Sequence, residues 1–170
     1  MQLNPRRVIL VGDQRQLPAT TFSFDADRSG FSRSLFERLL QAGISHTMLE
    51  TQYRMHPSLS AFPSRQFYES RIKNDASVQQ REVPSELCDF EKVMQGRRLL
   101  FIDLVSSREH SDNSKSKFNP AEAAATVGLV KLLSKKADSD MIGVITPYKS
   151  QVRLLSKKCG DVEVNTVDAF

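Results

Sequence analysis

Between residues 99 and 167 the chain alternates strand-length apolar runs with helix-length segments, and this alternation limits its fold more than any other feature. Leu99-Leu100-Phe101-Ile102-Asp103-Leu104-Val105 reads as the first strand. Asn119-Pro120-Ala121-Glu122 then supplies an N-cap, a proline at the first helical position and a glutamate at the third, which marks a helix start. Val127, Val130 and Leu133 give that helix an inward stripe. A strand over 141–145, a helix over 147–158 and a strand over Val162–Val167 complete a β-α-β-α-β series. Crossovers of that length join parallel strands with a right-handed turn, so the pattern predicts an α/β fold built on a parallel sheet.

The N-terminal half carries a sparser version of the same plan. Val8-Ile9-Leu10-Val11 is a continuous apolar, largely β-branched run, the signature of a central strand covered on both faces. Residues 19–32 are polar and lack a period, which predicts a linker. Ser34 with Glu37 makes a capping box for a helix whose stripe is Leu35, Phe36, Leu39 and Leu40, and Gly43 ends it. Thr47-Met48-Leu49 reads as a short strand. Pro57 to Tyr68 reads as a helix that Pro63 must kink or split, because proline has no N–H to donate. Residues 71–98 read as loop with short helical pieces, and 106–118 as a serine- and lysine-rich loop.

Composition excludes several classes. With 39% apolar and 26% charged residues over 170 positions, the chain can bury a core as a soluble globular protein. Its apolar runs fall far short of the roughly 20 residues that span a bilayer. Met1-Gln2-Leu3-Asn4-Pro5-Arg6-Arg7 has no apolar signal-peptide core, so an intracellular protein with no membrane partner is expected. Cys88 and Cys159 form no C-x-x-C and have no nearby histidine pair, which argues for buried thiols and against disulfides or zinc. The net charge of +4 favours an anionic partner only where the charge is concentrated.

In open parallel sheets ligands bind beyond the carboxyl ends of strands, where loops and helix N-termini present unpaired N–H groups. Three segments of this chain fall there. After Val11 the loop Gly12-Asp13-Gln14-Arg15-Gln16-Leu17-Pro18 offers a carboxylate, Asp13, and an amide, Gln16, suited to sensing a terminal phosphate and placing a water or a magnesium ion. Gln52-Tyr53-Arg54-Met55-His56-Pro57 sets a permanently charged guanidinium, Arg54, beside a ring, Tyr53, that can stack on a base. Thr146-Pro147-Tyr148-Lys149 places a capping hydroxyl and free N–H groups at a helix start. That helix repeats positive charge every four residues at Lys149, Arg153 and Lys157, a face suited to a nucleic-acid backbone. Taken singly, each segment equally suits a polar turn, a surface ion pair, a core ring or a solvated helix. His56 reads as a helix-start hydrogen-bonding residue. No metal-ligand cluster or nucleophilic triad stands out.

Taken in order, these segments resemble the superfamily 1 helicases of the senataxin and nonsense-mediated-decay type over nearly the whole chain. Gly12–Pro18 is similar to motif III, Gln52–Pro57 to motif IV, and Val164-Asn165-Thr166-Val167-Asp168-Ala169-Phe170 to the start of motif V. Ser34-Leu35-Phe36-Glu37-Arg38-Leu39, Ala61-Phe62-Pro63-Ser64 with Phe67-Tyr68, and Ile145-Thr146-Pro147-Tyr148 with Gln151 are further family phrases. The resemblance implies RecA-like, P-loop NTPase-type domains that close on ATP and Mg2+ while stepping along single-stranded RNA or DNA. It implies that Gln16, with Asp13, and Arg54 read the γ-phosphate from opposite sides, that Tyr53 stacks on adenine, and that Thr146, Pro147, Tyr148 and Lys149 hold the strand.

The chain has no G-x-x-x-x-G-K-[ST] loop, and no Asp-Glu pair precedes Val8. The expectation is therefore a fragment. Residues 1–30 would be the C-terminal remnant of the first RecA-like domain with its linker, and residues 31–170 most of the second. The parent is expected to be an ATP-dependent helicase of nucleus or cytoplasm, with the isolated chain inactive. A non-catalytic nucleic-acid-binding α/β module and a small α/β scaffold domain are the other readings.

Overall fold

A computed structural model describes residues 5–81, 94 and 97–169. Cys88, Phe170 and much of the 71–98 segment lie outside the described residues. The chain divides into two compact units, one of residues 1–55 and 60–75, the other of residues 56–59 and 76–170.

In the first unit the helix starts follow local chemistry. Ser23 caps a short helix α1 (Phe24–Arg28) by accepting the Ala26 N–H, and this helix stands where a linker was expected. Ser34 caps α2 (Leu35–Gln41) by accepting the Glu37 N–H at 3.1 Å. The other half of the expected capping box is replaced: Glu37 Oε1 accepts from Gln41 Nε2 at 3.1 Å. At its far end Gly43 takes a φ of +83°, its N–H reaches Leu40 O, and the Ile44 N–H reaches Leu39 O. That pair of bonds is a Schellman motif, which a left-handed glycine closes without strain.

The strand of this unit is displaced from its expected place. Thr47–Leu49 is irregular, and β1 is Thr51–Gln52, parallel to β2 (Lys73–Asn74). Bonds from Lys73 N to Glu50 O and Asp75 N to Gln52 O extend the ladder at both ends. Glu50 adds ion pairs to Arg71 at 2.7 Å and Lys73 at 3.1 Å. These fix the register four residues later than apolarity alone suggests.

Helix α3 (Pro57–Phe67) runs through Pro63 without a split. The carbonyl that Pro63 leaves without its helical donor belongs to Leu59, a 37% exposed residue. Its buried side is made of Ser60 and Ser64, while Phe62 is 59% exposed.

The second unit holds the core. After residues 56–59 it continues with α4 (Ala76–Gln79), whose Val78 is fully buried. The serine-rich segment forms an antiparallel pair, β3 (His110–Ser111) with β4 (Lys117–Phe118), where His110 stacks on Phe118 with ring centroids 5.6 Å apart. Helix α5 (Pro120–Leu133) starts at Asn119 as the sequence predicts. Parallel strands β5 (Gly143–Ile145) and β6 (Glu163–Asn165) flank helix α6 (Lys149–Ser156), the predicted crossover. Ala123, Val130, Leu155, Cys159, Val162 and Val164 form one buried cluster, which Val127, Val144 and Val152 complete. Cys159 is thus a buried thiol, and burial pushes its pKa up.

Two predicted strands do not form. Val8–Val11 and Leu99–Val105 are irregular, with Ile9 87%, Val11 90% and Phe101 88% exposed. A strand exists only through hydrogen bonds to a neighbour. The described residues offer these runs none.

Candidate functional site

The loop after Val11 is organised around one carboxylate. Asp13 Oδ1 accepts the Arg15 N–H at 2.9 Å, and Asp13 Oδ2 accepts from Gln16 Nε2 at 2.9 Å and from the Tyr68 hydroxyl at 2.6 Å. Burial pushes the Asp13 pKa up, but these three hydrogen bonds and the Arg15 charge outweigh it and leave the group below its usual range. The same contact raises the Tyr68 pKa, because a phenol donating to a carboxylate holds its proton. Asp13 and Gln16 are therefore bonded to each other. Tyr68, which joins them, was quoted from sequence only as a family phrase.

Asp13, Gln16, Gln52, Ser60 and Tyr68 all border a cavity of about 1010 Å³ within the first unit. The two loops singled out from sequence thus share one concave surface, although Tyr53 and Arg54 are not among the lining residues. Tyr53 is 62% exposed and Arg54 is also exposed.

The turn that presents Arg54 is held by Gln52. Its Oε1 accepts the N–H groups of Arg54 at 2.9 Å and Met55 at 2.7 Å, and its Nε2 donates to Met55 O at 2.7 Å and Asn74 Oδ1 at 2.6 Å. Ser60, 2% exposed, donates its hydroxyl to the same Asn74 oxygen at 2.6 Å. Sequence reasoning assigned Gln52 no role, since its partner Asn74 lies 22 residues away. His56 bonds within the first turn of α3, where Nδ1 lies 2.8 Å from Ser58 Oγ and accepts the Ser58 N–H at 3.2 Å. This is the helix-start role that the sequence suggested.

In the second unit Thr146, Pro147 and Tyr148 lie between β5 and α6 and Lys149 opens α6, but capping differs from expectation. Tyr148, not Thr146, is the N-cap, and its side chain makes no cap bond. Thr146 is 8% exposed, its N–H donates to Asn165 O at 3.1 Å, and its hydroxyl accepts the Tyr148 N–H at 3.5 Å. Thr146 therefore closes the turn, and Pro147 precedes the helix. Nor are all the first N–H groups of α6 open: that of Ser150 donates to Ser116 Oγ at 3.1 Å.

Asp112 braces the same helix start. It accepts from Ser114 and Ser116 of its own hairpin and from the Ser150 hydroxyl, and it pairs with Arg153 at 3.4 Å. The hydrogen bonds from Ser114 and Ser150, ahead of the remaining effects, lower its pKa to about 2. Arg153 is thus paired with Asp112, while Lys149 and Lys157 are also exposed along the same helix face. Gln151, buried at 6%, clasps the Asn119 backbone by accepting its N–H at 2.8 Å and donating to its carbonyl at 3.3 Å. The start of α6 is tied to the start of α5.

Among the described residues there is no cluster of three or more histidine, cysteine or acidic side chains placed to hold a metal. No helix among them is long and apolar enough to cross a membrane.

Comparison with known proteins places these loops in a family. A family pattern described as AAA domain matches residues 31–170. The ATP-dependent helicase NAM7 of Saccharomyces cerevisiae is 39% identical over 97% of the chain and 18% of its own length. The probable helicase MAGATAMA 3 of Arabidopsis thaliana is 33% identical over 97% of the chain and 22% of its own length. A regulator of nonsense transcripts 1 homolog from the same plant is 36% identical over 99% of the chain and 14% of its own length. The chain thus spans about a fifth or less of these relatives. With the AAA domain pattern matched over residues 31–170 and helicase relatives aligned nearly end to end, the chain belongs to the AAA domain family and to the superfamily 1 helicases of the nonsense-transcript type.

Proposed function

We propose that this chain is the nucleotide-sensing and strand-holding part of an ATP-dependent helicase that moves on single-stranded RNA or DNA in the nucleus or cytoplasm. Residues 1–30 are then the tail of a first RecA-like domain, and residues 31–170 most of the second. The observation that carries the reading is the Asp13 carboxylate holding the Gln16 amide at 2.9 Å on the cavity that Gln52 also borders. A fixed amide is suited to reading a γ-phosphate and orienting a water. The exposed Arg54 supplies charge to a transferring phosphoryl group, and Tyr53 offers a face to adenine.

These groups suit one side of a nucleotide. The cradle for the β- and γ-phosphates needs residues that this chain does not contain, so ATP and Mg2+ binding rests on the parent protein. When bound, Mg2+ offsets charge on those phosphates. Thr146, Pro147, Tyr148 and Lys149 are assigned to the backbone of the strand, a contact that gives affinity without sequence preference.

The test is a graft. The 170-residue chain alone is expected to show no ATP turnover, with or without single-stranded nucleic acid. Placed in the matching segment of NAM7, it is expected to support strand-stimulated turnover that Arg54→Ala lowers by roughly 10³-fold. A graft equally active with and without Arg54 would refute the assignment. Salt-dependent strand binding without any ATPase would favour the non-catalytic binding module instead.

A further inference from the structure

We propose that Gln52, seated on Asn74 and Ser60, is a positioning residue that sets the direction in which Arg54 projects. The inference rests on the reading of Arg54 as a phosphate-facing arginine. An arginine on an irregular turn has a flexible base as well as a flexible side chain, and only the base can be fixed by its neighbours. Gln52 fixes it: the Arg54 and Met55 N–H groups converge on one amide oxygen, and the amide nitrogen returns to the Met55 carbonyl. One side chain thus replaces the regular structure that residues 53–56 lack.

The amide itself is held from the neighbouring strand. Gln52 and Asn74 are register partners in the parallel pair β1 and β2, so their side chains share a face. Asn74 Oδ1 accepts both Gln52 Nε2 and Ser60 Oγ at 2.6 Å, which ties the turn to the first turn of α3. Both amide hydrogens of Gln52 and both acceptor positions of its oxygen are engaged. A glutamate would keep the shape and the acceptor but lose both donors and set a charge against the Asn74 oxygen.

The experiment uses the NAM7 graft, with kcat and KM for ATP measured separately. Gln52→Glu is expected to lower kcat by about 10²-fold, the scale of an ångström-sized misplacement, with KM changed less than about threefold. In the Arg54→Ala background it is expected to add nothing, since it acts through that arginine. Asn74→Asp, which keeps the accepting oxygen, is expected to retain activity within about threefold, whereas Asn74→Leu should reproduce the Gln52→Glu loss.

An unchanged kcat in Gln52→Glu, with Arg54→Ala still impaired, overturns the inference and leaves the helicase reading intact. Losses that multiply in the double variant overturn it as well. If Arg54→Ala is itself without effect, the underlying reading fails instead. Should Gln52→Glu not fold, the contrast between Asn74→Asp and Asn74→Leu decides, and equal activities overturn the inference.

Discussion

Asp112 shows how much one half-buried carboxylate can organise. Its two oxygens take bonds from the β3–β4 turn and from the Ser150 hydroxyl of α6, which joins two segments that share no strand pairing. Its pKa of about 2 lies below the ordinary 3.8, so the folded state binds its proton less readily than the unfolded state. The stability it contributes is therefore full above about pH 4 and is lost as pH falls through about 2. Chemical denaturation at a series of pH values from 5 to about 2 should show Asp112→Asn less stable than the parent at pH 5, with the gap closing toward pH 2. A gap of constant size would mean that the carboxylate's charge is not what braces the hairpin. Sequence shows an Asp-x-Ser-x-Ser turn here but not Ser150, 38 residues on, which makes Asp112 more than a local turn residue.

At the scale of elements, several local signals are legible in the sequence, although the Ser23-capped α1 stands where a linker is expected. Ser34, Gly43 and Asn119 each act on N–H or carbonyl groups a few residues away, and each sits where the sequence put it. The cap of α6 was misplaced by two residues because Thr146 spends its N–H on β6, a partner 19 residues distant. The clasp between Gln151 and the Asn119 backbone was missed for the same reason, since its partners lie 32 residues apart. Removing it leaves the buried Asn119 N–H without its partner, which costs about 1–3 kcal/mol for such a group, while the Asn119 carbonyl still accepts the Ala123 N–H at 3.0 Å. Gln151→Leu should thus lower unfolding stability by about that amount, while Lys149→Ala, on the exposed side of the same helix, should change it by less than about 0.5 kcal/mol. Equal losses in urea titrations would contradict the clasp. Asn119→Ala tests a separate contribution, the cap itself, worth about 1 kcal/mol.

At the scale of the whole molecule, two apolar strips are left exposed among the described residues. Val8–Val11 and Leu99–Val105 have the composition of central strands, yet neither forms one. What sequence cannot supply is the neighbour, because pairing belongs to a sheet and not to the run itself. Gln52 is the same lesson at the candidate site: the amide is visible, but the Asn74 register that gives it a role is not. Pairing also decides amide protection. Bonded amides such as Thr146 N–H, which reaches Asn165 O at 3.1 Å, should exchange slowly in the isolated chain. Those of Ile9, Val11, Phe101 and Val105, on residues at least 86% exposed, should exchange near the rate of an unfolded peptide. In the NAM7 graft, if the helicase reading holds, the host supplies sheet neighbours and the Val8–Val11 amides should become protected while Thr146 changes little. Protection of Val8–Val11 already equal to that of Thr146 in the isolated chain would mean that the strip finds its partner without the host, and the need for a second body to complete its sheet would fall with it.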